Sequence, residues 1–233
     1  MPHKEEYRIN LPHFQQPGQA YFITWCLKGA IPKHALKRYS DELKMLKLQI
    51  AGEAAGEADS DPLIKEANRN WLHPNWLHPH PLLQKYYAVR RKYIKAFNDL
   101  LDADKNPKIN LNKPENLIVV VDALKFWEGK KLTNHAFCVM PNHVHWVVEL
   151  LKIDQQGKPV YLEDILYSVK RFSATEINKH ENRSGKMWQK ESFDTTIRDE
   201  KHMYNAIEYT RNNPVNAGFV KDWKDWSGSW CAG

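Results

Sequence analysis

A chain of 233 residues can form one domain with a sizeable core, or one domain carrying a large insertion. Hydrophobic residues make up 42% and charged residues 27%, as in soluble globular proteins, while a net charge of +6 with nine Trp and ten Tyr suits a polyanionic partner whose bases stack on rings. Three cysteines (Cys26, Cys138, Cys231) without a C-x-x-C spacing argue against a disulfide framework or a cysteine-rich zinc module. The N-terminal MPHKEEYRIN has no apolar signal region, and no apolar run approaches the ~20 residues of a membrane helix, so a soluble cytoplasmic protein with no membrane partner is expected.

Residues 1–19 are polar, carry Pro12 and Pro17, and read as an extended arm. Residues 20–28, AYFITWCLK with the next Gly29 as breaker, form a first strand of aromatic and β-branched residues. Leu43, Leu46 and Ile50 recur at helical spacing within 39–53. The acidic stretch AGEAAGEADSDP leads to NWLHPNWLHPHP at 70–81, a tandem pentapeptide whose prolines block a helix. Residues 82–102 return to helix, with Leu83, Tyr87, Tyr93, Phe97 and Leu100 near one face.

A further helix is predicted at 114–128, opened by Pro114 and Glu115, with Leu117, Val120, Val121, Leu124 and Phe126 inward. The strands 132–140 and 143–150 flank the turn Pro141-Asn142 and make a hairpin. Residues 162–179 form a helix with Leu162, Ile165, Leu166, Val169 and Phe172 inward, and a short strand lies around Phe193 to Ile197. Asp199 and Glu200 start a last helix, which Pro214 is expected to stop at about Asn213. This order gives an α+β fold: an antiparallel sheet with helices packed on one face. Residues 1–233 read as a single domain with a helical insertion at about 30–113, after the first strand.

His143 and His145 lie two apart on the second hairpin strand, so both imidazoles leave the same face while Val144, Trp146 and Val148 take the other. The valine face is the natural core side, which leaves the histidines on an open face as a metal-binding pair. Two imidazoles are an incomplete set, and a third ligand is needed. Tyr209 and Asn213 are one turn apart on the last helix and share a face, so the carboxamide can bring that ligand and the phenol a nucleophile. Tyr204 is the rival phenol, but its position points it to another side. A phosphodiester repels nucleophiles through its own charge. A divalent cation, Mg²⁺ or Mn²⁺ for a set of two His and one amide, offsets that charge. Attack by a tyrosine keeps the ligation energy in a covalent phosphotyrosine, so a second strand can be joined without ATP.

At these residues the chain resembles the REP-associated tyrosine transposases, a branch of the single-tyrosine HUH-type transposases. Three separated stretches carry the resemblance in the right order: LPHFQQPGQAYFITWCL at 11–27, HAFCVMPNHVHWVVEL at 135–150, and MWQKESFDTTIRDEKHMYNAIEYTRNNPVNAGFV at 187–220. The resemblance implies a ferredoxin-like core, His143, His145 and Asn213 as metal ligands, and Tyr209 as nucleophile. It further implies single-stranded DNA with hairpins or palindromic repeats as partner, acted on by a monomer or homodimer. Trp146 departs from the aliphatic residue common after the second histidine, and Ser192 stands where a bulky or basic residue is frequent. The NWLHP duplication has no counterpart in the family pattern.

Candidate phosphate contacts are Lys170, Arg171, Lys186, Lys190, Arg198 and Arg211 near the site in sequence, and Lys85, Arg90, Arg91, Lys92 and Lys95 on the basic helix. Phe14, Tyr21, Trp25 and Trp188 are candidates to stack on unpaired bases. His73, His78 and His80 lack a cysteine or carboxylate to complete a metal set, and read as loop residues. Two other functions fit the same residues. A non-catalytic hairpin-binding protein would bind without cleaving, and a water-using phosphodiesterase would leave no covalent adduct.

Overall fold

The structure, a computed structural model, describes the backbone of residues 6–8, 12–14, 16–32, 34–56 and 81–232, and the side chains of 16–32, 34–52 and 81–232. The NWLHP repeat and His73, His78 and His80 lie outside the described residues. The described chain falls into two compact units, one of residues 1–30 with 101–233 and one of residues 31–100.

The first unit is built on a five-stranded antiparallel sheet of order β6-β3-β5-β4-β7, from β3 (Ala20–Cys26), β4 (Leu132–Val139), β5 (His143–Leu150), β6 (Phe193–Thr196) and β7 (Ser229–Cys231). Helix α3 (Pro114–Lys125) links β3 to β4 in sequence, and α4 (Leu162–His180) links β5 to β6. Without β7 this is a βαββαβ path with its first strand beside its fourth and third, the ferredoxin-like order. The arm before β3 holds a short antiparallel pair, β1 (Glu6–Arg8) and β2 (Pro12–Phe14).

Strand alternation sorts the side chains of the sheet between its two faces. Tyr21, Ile23 and Trp25 from β3 and Val144, Trp146 and Val148 from β5 join Val120 and Leu124 of α3 and Ile165 and Val169 of α4 in the main core. Trp25 sits at its centre, edge-on to Trp146 at 6.0 Å and to Trp188 at 6.1 Å between ring centroids. Such pairs add about 0.5–1.5 kcal/mol each to the burial of their area. The indole N–H of Trp146 donates to Asn134 Oδ1 at 2.6 Å, where β4 shifts register between Asn134 and Ala136. Trp146 thus fills the core with its one polar atom satisfied.

The helices α3 and α4 form the expected layer on one face. The last helix, α5 (Glu200–Asn216), takes the opposite face, where Ala206, Met203 and Ile207 pack on Phe22, Ala136 and Val147. The histidine face is therefore covered and not open. Asp199 caps α5, its carboxylate accepting from the His202 backbone N–H at 2.7 Å. Pro214 does not stop this helix: it lies inside the last turn, where its missing N–H forfeits only one bond to the preceding turn. The helix closes one turn later, with the Ala217 N–H donating to Asn213 O and the Phe219 N–H to Pro214 O, both at 2.9 Å.

Two residues assigned inward from periodicity face solvent instead: Phe126 and Phe172, half-exposed beyond the edge of the α3 and α4 apolar stripes. Strand β7 was not legible in the sequence. It pairs with β4 because Gly228 lets the chain approach; an added Cβ there would collide with the Val139 carbonyl. Residues 101–113 count with the sheet unit, and Ile109 and Leu111 lie in its core.

The second unit holds α1 (Lys37–Gly56) and most of α2 (Pro81–Ala103). Its small core joins Leu43 and Leu46 of α1 to Tyr86 and Val89 of α2. Leu101 to Ala103, the last residues of α2, count with the sheet unit.

Candidate active site

The two imidazoles lie on β5, with Cys26 and Thr24 of β3 as the register partners of His143 and His145. Both are buried, at 1% and 0% exposure. Their Nε2 atoms stand 3.1 Å apart. That spacing matches two adjacent corners of one coordination sphere, since metal–nitrogen bonds of about 2.1 Å at a right angle separate the nitrogens by about 3 Å. Each Nδ1 faces a polar partner: Asn142 Oδ1 at 2.6 Å from His143, and Thr24 Oγ1 at 2.8 Å from His145. A His whose far nitrogen is held in this way has its ring orientation fixed, as in metal sites generally.

Burial keeps both imidazoles neutral. The desolvation of His143, aided by its neighbour His145, holds its pKa well below the ordinary histidine range, and desolvation lowers His145 to about 3. Neutral imidazole is the form that ligates a cation.

Helix α5 brings the remaining groups. The His145 and Tyr209 rings meet edge to face at 5.3 Å, and Phe22 packs against both, at 5.9 Å from His145 and 5.6 Å from Tyr209. Asn213 is 1% exposed. An interaction with Asn213 favours the protonated form of His143, yet no donor meets the hydrogen-bond geometry at the buried Asn213 Oδ1. A buried carbonyl oxygen without a donor costs about 1–3 kcal/mol, and such an atom marks a place for a cation or a water. Tyr204, the rival phenol, is 62% exposed, unlike the buried imidazoles.

Sequence reasoning missed three residues here. Asp102, at the end of α2, has Oδ1 3.7 Å from His143 Nε2. Asn142 and Thr24 hold the Nδ1 atoms. No motif spacing signals Asp102 or Thr24, which reach the site through the fold, whereas Asn142 lies in the Pro-Asn turn next to His143 and only its hold on Nδ1 is new. Among the described residues no three His, Cys, Asp or Glu side chains form a metal set by themselves, and the buried amide oxygen of Asn213 is a group that could add a third donor to the two imidazoles. The arrangement fits a divalent cation on His143, His145 and Asn213.

The remaining candidates divide. Lys170, Arg171, Lys186 and Lys190 line a groove of about 340 Å³ together with Tyr167 and Trp188. Desolvation lowers the half-buried Lys170 to about 8. Arg198 is exposed just before α5. Arg211 is held on α5 by Glu208 at 2.6 Å and lies over the Trp223 ring. Lys85, Arg91, Lys92 and Lys95 are exposed on α2, and Arg90 is half-buried. Lys95 is also paired with Asp99 at 2.8 Å.

Trp25 and Tyr21 are corrected. Both are fully buried in the main core, because the odd positions of β3 point to the α3–α4 side, and neither ring can reach a base. Trp188 is 7% exposed and only borders the groove. Phe14 falls on β2, and its side chain lies outside the described residues. No described helix is long and apolar enough to cross a membrane.

The resemblance read from the sequence is borne out by comparison with known proteins. The chain is 30% identical over 98 residues to a protein of Haemophilus influenzae named "Putative REP-associated tyrosine transposase", covering 39% of this chain and 54% of that protein. A second, uncharacterized protein of Haemophilus influenzae is 28% identical over 97 residues, covering 34% of this chain and 52% of the relative. The chain thus spans about half the length of the curated relatives it matches. A solved structure of a REP-associated tyrosine transposase bound to a REP hairpin aligns over 96% of this chain and 81% of that one, with a TM-score of 0.42 and 16% identity. No family model matches the chain.

Proposed function

We propose that this protein is a transposase-like, metal-dependent endonuclease and strand transferase. Its substrate is single-stranded DNA carrying hairpins or palindromic repeats. The reading rests on one observation above all: α5 brings the half-buried Tyr209 against His145 and the donorless Asn213 oxygen beside His143, in one place. The similarity to a protein named as a REP-associated tyrosine transposase points the same way.

His143, His145 and Asn213 would hold Mg²⁺ or Mn²⁺. The bound cation supplies charge neutralisation at a non-bridging phosphate oxygen. The chain's own residues do the rest. The Tyr209 oxygen attacks phosphorus, the phosphorus–O3′ bond breaks, and a proton equivalent to the one lost by the phenol ends on the freed 3′-hydroxyl. The product is a 5′-phosphotyrosine, which a second 3′-hydroxyl can reverse onto a new strand. Phe22 packs on the Tyr209 ring and helps to fix its direction. Lys170, Arg171 and Lys190 offer phosphate contacts along the groove.

The test is incubation with a labelled hairpin oligonucleotide and Mg²⁺ or Mn²⁺, followed by a denaturing gel. The expected result is a cation-dependent, protein-linked 5′ fragment that Tyr209→Phe does not form. Cleavage without an adduct would replace this reading by a water-using phosphodiesterase. Tight binding without cleavage in either cation would replace it by a hairpin-binding protein.

A further inference from the structure

The two imidazoles of the site are held by chemically unlike partners. Asn142 is 1% exposed, and its amide nitrogen donates to Leu101 O at 2.9 Å and reaches Asp104 O at 3.4 Å. The Leu101 carbonyl belongs to the last turn of α2, where helix carbonyls lack intrahelical donors, and the Asp104 carbonyl lies just beyond it. Turning the amide over would set its oxygen against two carbonyl oxygens, so its orientation is fixed. The Asn142 oxygen therefore faces His143 Nδ1 at 2.6 Å and must accept from an N–H there. A neutral His143 with its proton on Nδ1 presents a lone pair at Nε2.

Thr24 imposes no such choice. Its hydroxyl, 2.8 Å from His145 Nδ1, can donate or accept. The two Nε2 atoms are 3.1 Å apart, and two lone pairs facing at that distance repel. Without a cation, the contact is satisfied only if His145 Nε2–H donates to His143 Nε2 while Thr24 donates to His145 Nδ1.

We propose that Asn142 locks His143 as a permanently ready ligand, while Thr24 is a rotatable switch that lets His145 hold its Nε2 proton in the metal-free protein and release it to Nδ1 when a divalent cation arrives. The change moves one proton within an imidazole, from Nε2 to Nδ1, by way of solvent. The Thr24 hydroxyl turns from donor to acceptor. The number of bound protons stays the same. Asn142 and Thr24 are positioning residues, acting through the histidines. The statement about the metal-free protein stands on the hydrogen bonds alone, and the statement about the cation rests on the function proposed above.

The experiment is long-range ¹H–¹⁵N correlation of the histidine side chains, at a pH well above the ordinary imidazole range, before and after saturation with Mg²⁺. The two spin systems are assigned with His143→Gln and His145→Gln. In the metal-free protein His143 should show the Nδ1–H pattern and His145 the Nε2–H pattern. With Mg²⁺, His143 should keep its pattern and His145 should adopt Nδ1–H. Thr24→Val should weaken Mn²⁺ binding, measured by calorimetry, by about 10-fold or more, and Thr24→Ser should restore it. An Nε2–H pattern at His143 in the metal-free protein would overturn the lock. A His145 pattern unchanged by bound Mg²⁺, or Mn²⁺ affinity equal in Thr24→Val and the parent, would overturn the switch. Absence of any cation binding would sink the metal reading itself and leave the metal-free spectrum to decide the lock. None of these readouts depends on DNA cleavage.

Discussion

His145 and Tyr209 stand ring to ring, 5.3 Å apart at 86°, although they come from a sheet strand and from the helix that covers it. The edge-to-face contact sets the phenol beside the imidazole pair and leaves its hydroxyl group as the variable part. Tyr209→Phe keeps the ring between His145 and Phe22, so stability should change by less than about 1 kcal/mol. Loss of the oxygen should lower strand cleavage by on the order of 10³-fold or more and abolish the covalent adduct. Hairpin binding, followed by fluorescence anisotropy, should persist. An adduct formed by the Phe variant would place the nucleophile elsewhere.

Asn213 gives a test that separates stability from cation binding. Its buried Oδ1 has no donor, so it contributes a cost to the metal-free fold. Asn213→Leu removes that atom while keeping the same side-chain heavy-atom count and branching. The metal-free melting temperature should stay level or rise, within about 1 kcal/mol, while Mn²⁺ affinity falls by about 10-fold or more. Calorimetry with and without the cation reads both. A destabilised variant with undiminished affinity would mean that the oxygen serves packing and not a ligand.

The buried imidazoles should make the metal-free protein sensitive to mild acid. Their folded pKa values lie below the unfolded value, about 3 for His145 against 6.5. As pH falls below 6.5 the unfolded chain takes up protons that the folded chain refuses. Stability is therefore full above that pH and is lost as pH falls toward the folded values. The slope approaches about 1.4 kcal/mol per pH unit for each imidazole. Urea midpoints across this range should fall with pH, and the fall should shrink in His145→Gln. A parent protein with a flat profile would contradict the burial argument.

Lys170 should make DNA binding sensitive to mild alkali. Desolvation in the groove brings it to about 8, so it loses its charge as pH rises through that value. One phosphate contact should be lost with it, and the salt slope of binding to a single strand should shrink by about 0.7. Lys170→Arg keeps the charge and should hold the slope constant over the same interval. Equal pH dependence in the parent and Lys170→Arg would remove Lys170 from the contact surface.

Local sequence determined much of this protein. Alternation in AYFITWC and HVHWVVEL set which side chains share a face, because a strand repeats every two residues whatever surrounds it. The four-residue spacing of Tyr209 and Asn213 put them one turn apart for the same kind of local reason. Asp199 marked the start of α5 through its own side chain. Periodicity failed where burial depends on what lies across from an element: Trp25, free to stack on paper, is sealed between Trp146 and Trp188.

Only the tertiary structure decided that the histidine face would be covered. Nothing within HVHWVVEL tells whether α5 lies over it, and that packing is what strips the imidazoles of water and lowers their pKa values. The same holds for Asp102 and Thr24, which are unremarkable in sequence and meet the site only through the end of α2 and the β3–β5 register. Periodicity is a property of neighbouring residues along the chain, whereas desolvation and hydrogen-bond partnership are properties of residues far apart in it.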